Sequence, residues 1–180
     1  MPSLIHCTQK LLAEIPDRLI DPSVSDESWH ANLLRIDRRK CVLFTHDKTL
    51  YSVFVPGLKK AEFAQLDEVF GQCLFKALLW DEFPQAQIEQ MLEACRVIRF
   101  TRFSSRSVLS SMNDIRFHIE LDAEDDGGLT SVDLVELHHK LNRIPFGAIG
   151  YAYPVERLRE YLEREYDPAR AERAAKRKRH

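Results

Sequence analysis

Three runs rich in aliphatic and aromatic residues, 29–37, 40–46 and 50–55, follow one another with only the polar tetrads Asp37-Arg38-Arg39-Lys40 and His46-Asp47-Lys48-Thr49 between them. Connections that short can reverse a strand, but they cannot carry the crossover of a dozen or more residues that parallel pairing requires. The spacing therefore predicts an antiparallel three-stranded meander, ended by Pro56-Gly57. In its first strand Trp29, Ala31 and Leu33 share one face, and His30, Asn32, Leu34 and Ile36 share the other. Both faces are partly apolar, so a second layer is expected over at least one of them.

Helical periodicity takes over after the meander. Phe63, Leu66, Phe70, Cys73, Leu74, Ala77 and Leu78 recur at helical spacing, and Phe75 and Leu79 widen the stripe. That breadth predicts a central helix buried on more than one side. Pro84 opens another helix, with Ile88, Met91, Leu92 and Cys95 on one face. Residues 96–103 read as a strand and 107–121 as a helix carrying Val108, Met112, Ile115 and Ile119. Past the turn Asp125-Asp126-Gly127-Gly128, Thr130 is the expected cap of a helix striped by Leu134, Leu137, His138 and Leu141, with Asp133 near its positive end. Pro154 opens a last helix reaching about residue 166. Upstream, residues 4–8 form a short strand, and Thr8 is placed to cap a short helix stopped by Pro16. The expectation is one α+β domain over residues 1–166: the meander, one or two further strands, and five or six helices.

Composition narrows the function classes. Hydrophobic residues make up 44% and charged residues 30%, a globular balance. No apolar run approaches the ~20 residues that span a bilayer, and the first residues lack the basic start and apolar stretch of a secretory signal. A cytoplasmic location is expected. Cys7, Cys41, Cys73 and Cys95 are far apart and set among apolar residues, which suits buried small hydrophobes better than zinc ligands. Glu136 and His139 have a Glu-x-x-His spacing, but a di-iron bundle needs a second copy that the chain lacks. No metal or other cofactor is expected. The net charge of −2 is uneven: residues 167–180 carry six Lys/Arg against two acids, so that this tail stands apart as a basic extension with Lys176, Arg177, Lys178 and Arg179 in a row. Such a run attracts phosphates without sequence preference.

Residues 101–114, Thr-Arg-Phe-Ser-Ser-Arg-Ser-Val-Leu-Ser-Ser-Met-Asn-Asp, place two guanidiniums and several hydroxyls where a strand hands over to a helix. A helix start offers unpaired N–H groups, and a guanidinium offers paired donors to an oxyanion. Arg102, Arg106, Ser107, Ser111, Asn113 and Asp114 are therefore the candidate binding residues, joined by Arg38 and Arg39 of the hairpin tip if that tip faces them. No base is placed to activate a serine here.

The segment Trp29-His30-Ala31-Asn32-Leu33-Leu34-Arg35-Ile36-Asp37-Arg38-Arg39-Lys40, the following Val42-Leu43-Phe44-Thr45, and Arg106-Ser107-Val108-Leu109-Ser110-Ser111-Met112-Asn113-Asp114 together resemble an uncharacterised bacterial domain family of unknown function. Its members pair a W-x-A-N-L-L-x-I-D-R-R segment with an N-R-S-V-L-G-S-M-N-D segment. The resemblance covers about residues 4–121, and this chain departs from it with Ser105 for Asn and Ser110 for Gly. It implies no activity or cofactor, but its second motif falls on the candidate segment. The leading reading is a non-enzymatic binding module for nucleic acid or a protein partner. The alternatives are an enzyme acting on a phosphate-containing substrate, with Arg106 and Arg38 as clamps and Asp114 as base, and a structural lock in which Arg106 pairs with Asp114.

Overall fold

The structure is a computed structural model that describes residues 2–15, 25, 27–103 and 105–165. Its centre is one five-stranded sheet in the order β4-β3-β2-β1-β5. The meander is present as β2 (Ser28–Ile36), β3 (Arg39–His46) and β4 (Ser52–Val55), paired antiparallel. Both further strands, β1 (Ser3–Cys7) and β5 (Ile98–Arg102), are parallel: β1 lies along β2 on one side and β5 on the other. The sheet is thus mixed, not purely antiparallel. Seven helices are described: α1 (Gln9–Leu12), α2 (Lys60–Ala64), α3 (Leu66–Trp80), α4 (Gln85–Ala94), α5 (Arg106–Asp125), α6 (Leu134–Leu141) and α7 (Pro154–Glu165), with two 3-10 turns at Leu129–Ser131 and Gly147–Ile149. That is one or two more than expected, because the periodic block after the meander is broken at Gln65 into α2 and α3.

Both faces of β2 are covered. Trp29, Ala31 and Leu33 join Ile5, Phe44, Phe70 and Leu74 in a core under α1, α3, α4 and α7. Leu34 and Ile36 join Leu43, Phe54, Met112 and Ile115 in a second core under α5 and α6. Each such fully buried side chain contributes about 2 kcal/mol of apolar transfer, so two separate cores hold the sheet from opposite sides. The α3 stripe is narrower than its spacing predicts: Phe75 and Leu79 are 43% and 49% exposed, and the helix is buried on one face. Thr130 lies in the 3-10 turn instead of capping α6; Asp133 caps it, accepting from the N–H groups of Val135 and Glu136. Thr8 precedes α1, but its hydroxyl donates to Asn32 Oδ1 at 3.0 Å and caps nothing.

Side chains of α6 and of its C-cap Asn142 close the open edge of β4. Asn142 Oδ1 accepts from the Ser52 N–H at 2.7 Å while its amide donates to the Ser52 carbonyl at 2.9 Å. His138 donates from Nδ1 to the Leu134 carbonyl and accepts the Phe54 N–H on Nε2. An unpaired strand edge would leave buried donors and acceptors unmet, and these two residues stand in for a sixth strand. On the α5–α6 face a polar row crosses the whole sheet in register: Thr101, His6, His30, Thr45 and Ser52. The Thr45 and Ser52 hydroxyls bond each other at 2.9 Å, whereas both ring nitrogens of His30 lack a hydrogen-bond partner among the described residues.

Candidate functional site

Strand β1 is where the topology divides. Its chain leaves through α1 on one face of the sheet, while the adjacent parallel strand β5 leaves through α5 on the other. Open sheets bind ligands in the crevice outside the carboxyl ends of such strands. A cleft of about 580 Å³ opens there, lined by Cys7 from β1, Gln9, Leu12 and Ala13 from the α1 turn, and Arg102 and Phe103 from the end of β5. Burial pushes the Cys7 thiol up to about 12, so it stays protonated at neutral pH and supplies no thiolate nucleophile.

The candidate segment is the handover from β5 to α5. Ser105 caps the helix, its Oγ accepting from the Val108 N–H at 3.3 Å. Arg102, which lines the cleft, is exposed, as are Arg106 and Ser107 at the start of α5. Ser111 turns inward and bonds the Ser107 carbonyl at 3.4 Å, so its hydroxyl serves the helix instead of a ligand. Asn113 and Asp114 lie two turns along on the solvent side of α5, where Arg106, Ser110, Asn113 and Phe117 share one stripe. Arg106 and Asp114 are both exposed and form no ion pair with each other. Replacing Ser105 by alanine is expected to cost about 1 kcal/mol, read by urea denaturation; a change under a few tenths would mean the cap is idle.

The hairpin arginines do not join this group. Asp37 and Arg38 form a two-residue turn with φ of 50° and 64°, the left-handed pair that a tight hairpin demands. The Asp37 carboxylate accepts the Leu129 N–H at 2.5 Å, pinning the tip to the far end of α5. A 20-residue helix is about 30 Å long, which separates exposed Arg38 and Arg39 from Arg106. The basic tail residues Lys176, Arg177, Lys178 and Arg179 fall outside the described residues.

Sequence reasoning missed two arginines. Arg96 precedes β5 and Arg99 lies within it; with Arg102 they recur at every third residue, and Arg106 follows after four. All four are exposed. Because neighbours in a strand point to opposite faces, Arg99 and Arg102 straddle the sheet edge instead of stacking on one face. Arg96 pairs with Glu93 at 3.2 Å in solvent, a contact that holds it weakly. Arg99, Arg102 and Arg106 make no ion pair with a described residue. The three-residue spacing was the available signal.

Among the described residues no group of three or more His, Cys, Asp or Glu side chains is placed to hold a metal ion. No described helix is long and apolar enough to cross a membrane. Comparison with curated proteins and with solved structures gave no match. A family match does cover most of the chain, spanning both motifs, the sheet, the cleft and the arginine edge: over residues 4–157 this chain belongs to DUF6933, a domain of unknown function.

Proposed function

We propose that the domain binds nucleic acid by phosphate contacts along the edge formed by Arg96, Arg99, Arg102 and Arg106, and that it does no chemistry there. The observation that carries this reading is a row of four exposed guanidiniums of which three make no ion pair with a described residue. Unpaired guanidiniums on an open edge suit a polyanion, which releases counterions as it binds. The protonated Cys7 thiol and the solvated Asp114 give an enzyme reading little to work with. Arg38 and Arg39, at the other end of α5, would touch a second stretch of a long ligand. The tail would add attraction without specificity.

The test is binding of short DNA and RNA oligonucleotides, followed by fluorescence anisotropy across a salt series. It compares the intact chain, a truncation after Tyr166, and Arg102→Ala/Arg106→Ala. The double variant is expected to lose about tenfold in affinity at low salt and to flatten the salt slope by about two for duplex DNA, one per phosphate contact removed. Loss confined to the truncated form would assign all binding to the tail and overturn the proposal. So would the absence of binding by any form at low salt, leaving phosphorylated small molecules and protein partners to be tried.

A further inference from the structure

We infer that the outer face of α5 is where two copies of this chain pair, antiparallel and about a two-fold axis level with residue 115. Such pairing goes beyond the nucleic-acid reading above and does not depend on it.

Exposure defines the face. Arg106, Ser110, Asn113, Phe117, Leu121 and Glu124 are all exposed, and at 3.6 residues per turn they fall within about 80° of arc. Phe117 and Leu121, one turn apart, are 61% and 42% exposed. A single exposed apolar side chain is ordinary, but two neighbours on a long helix make a patch that gains by being covered. The same copy cannot cover it, because the opposite side of α5 already packs on the sheet through Val108, Met112, Ile115 and Ile119.

Charge identifies what covers it. α5 has no acid in its first turn and no base in its last; it begins with Arg106 and ends with Glu124 and Asp125. That order opposes the helix dipole, which favours acids at the start and bases at the end. None of these three side chains makes an ion pair with a described residue. An antiparallel second α5 removes the misfit: its acidic end lies beside Arg106, and its own Arg106 lies beside Glu124 and Asp125. A two-fold axis makes each such contact twice.

The stripe is also matched in size about that axis. Positions 106 and 124, and 113 and 117, are equally distant from 115, and 110 and 121 nearly so. Antiparallel pairing therefore sets Arg106 against the second copy's Glu124, Asn113 against its Phe117, and Ser110 against its Leu121. Each large apolar side chain meets a smaller one, which lets two helices approach to about 8–10 Å. A parallel pair would set Phe117 on Phe117 and Arg106 on Arg106.

One helix pair is smaller than the ~1,600 Å² of a standard interface, so the association is reversible, with a dissociation constant on the order of tens of micromolar. Only Arg106 belongs both to this face and to the arginine edge. At the dilution of an oligonucleotide titration the copies are apart, and Arg106 is open to phosphate. In the pair, Arg38 and Arg39 of one copy come to the same end as Arg96, Arg99 and Arg102 of the other, because the Asp37–Leu129 contact holds the hairpin tip just past the end of α5.

The test is sedimentation equilibrium of the full chain, free of nucleic acid, from about 1 to 500 μM so as to bracket that constant. The apparent mass is expected to rise from 21.0 kDa toward twice that value. Phe117→Gln/Leu121→Gln should stay monomeric throughout, with an unchanged thermal melt in dilute solution, because both positions are exposed. Arg106→Glu should weaken pairing about tenfold, although an acid in the first turn suits the helix itself. Adding Glu124→Arg to that variant should restore it. A monomer at every concentration would overturn the inference, and so would pairing that survives Phe117→Gln/Leu121→Gln, which puts the contact on another face. Failure of Glu124→Arg to rescue Arg106→Glu would overturn the antiparallel register. Pairing that begins only after truncation at Tyr166 would make the basic tail the occupant of this face and overturn the inference as well.

Discussion

Asp81→Ala is expected to lower the stability of the domain by about 4 kcal/mol, within the range for breaking a buried ionic network by removing one partner. Asp81 ends α3 and is 2% exposed. Its Oδ2 accepts from the buried Tyr51 hydroxyl at 2.7 Å, its Oδ1 from Arg143 Nη1 at 2.9 Å, and its main-chain oxygen from Arg159 Nη2 at 2.5 Å. One side chain thereby joins the end of α3, the start of β4 and the segment after α6. Burial, and then the neighbouring Asp81 charge, hold the Tyr51 hydroxyl well above its ordinary value, so it is a committed donor. Alanine leaves that donor inside the protein with nothing to bond, whereas the partly exposed Arg143 can turn to water. The melting temperature should fall by about 10 °C for a domain of this size. In the Asp81→Ala background Tyr51→Phe should cost at least 1 kcal/mol less than in the parent, since the orphaned hydroxyl goes with it. An Asp81→Ala cost below 1 kcal/mol would show that the network is solvated and that α3 is held by its apolar face alone.

The sequence made the meander legible because each of its pairings is local. The Asp37-Arg38 turn and the His46-Asp47-Lys48-Thr49 connection fix the register of β2, β3 and β4 by their length, whatever the rest of the chain does. The parallel strands were visible as strands but not as neighbours. Ser3 pairs with Ile98, and nothing in the intervening residues announces that contact. The same long-range placement decides the candidate site. Arg102 lines a cleft only because β5 lands beside β1 and brings its end to the α1 turn. Arg38 and Arg39 look equally eligible in the sequence, yet the Asp37–Leu129 contact carries them to the other end of α5.

Two local expectations differ from the structure, each for its own physical reason. Phe75 and Leu79 fit a buried helical stripe by spacing, but spacing cannot say how wide a face the neighbouring layer will cover. Thr130 and Asp133 are both good capping types, and the choice between them is made by the backbone. Gly127 and Gly128 adopt φ of 81° and 129°, a path that leads into a 3-10 turn and delays the helix by one short step. His138 was legible as a core residue from its place on the apolar stripe. Its role as a main-chain acceptor for β4 required knowing that β4 is an edge.

Acid is expected to weaken the domain, and His30 is the main reason. The imidazole is 2% exposed, stacks on His6 at 4.9 Å between ring centroids, and has no hydrogen-bond partner among the described residues on either nitrogen. Burial, the facing His6 and the nearby His46 lower its pKa to about 4, and Asp47, at 3.6 Å, only partly opposes them. The folded value lies below the unfolded one of about 6.5. The unfolded chain therefore takes up a proton that the folded chain refuses, and stability that is complete above pH 6.5 is lost as the pH falls toward 4. At about 1.4 kcal/mol per pH unit, His30 alone accounts for a loss of about 2 kcal/mol between pH 7 and pH 5 and about 3 kcal/mol by pH 4. His138 adds to the loss in the same direction: burial lowers its pKa, and a proton on Nε2 would face the Phe54 N–H that this nitrogen now accepts. Urea unfolding at pH 7 and pH 5 measures the effect. His30→Gln should shrink the difference between the two pH values by about 2 kcal/mol, whatever it does to stability at either one. If the variant loses as much stability as the parent between those pH values, the proton goes elsewhere, and the unpartnered imidazole is a tolerated feature of the sheet with no part in its response to acid.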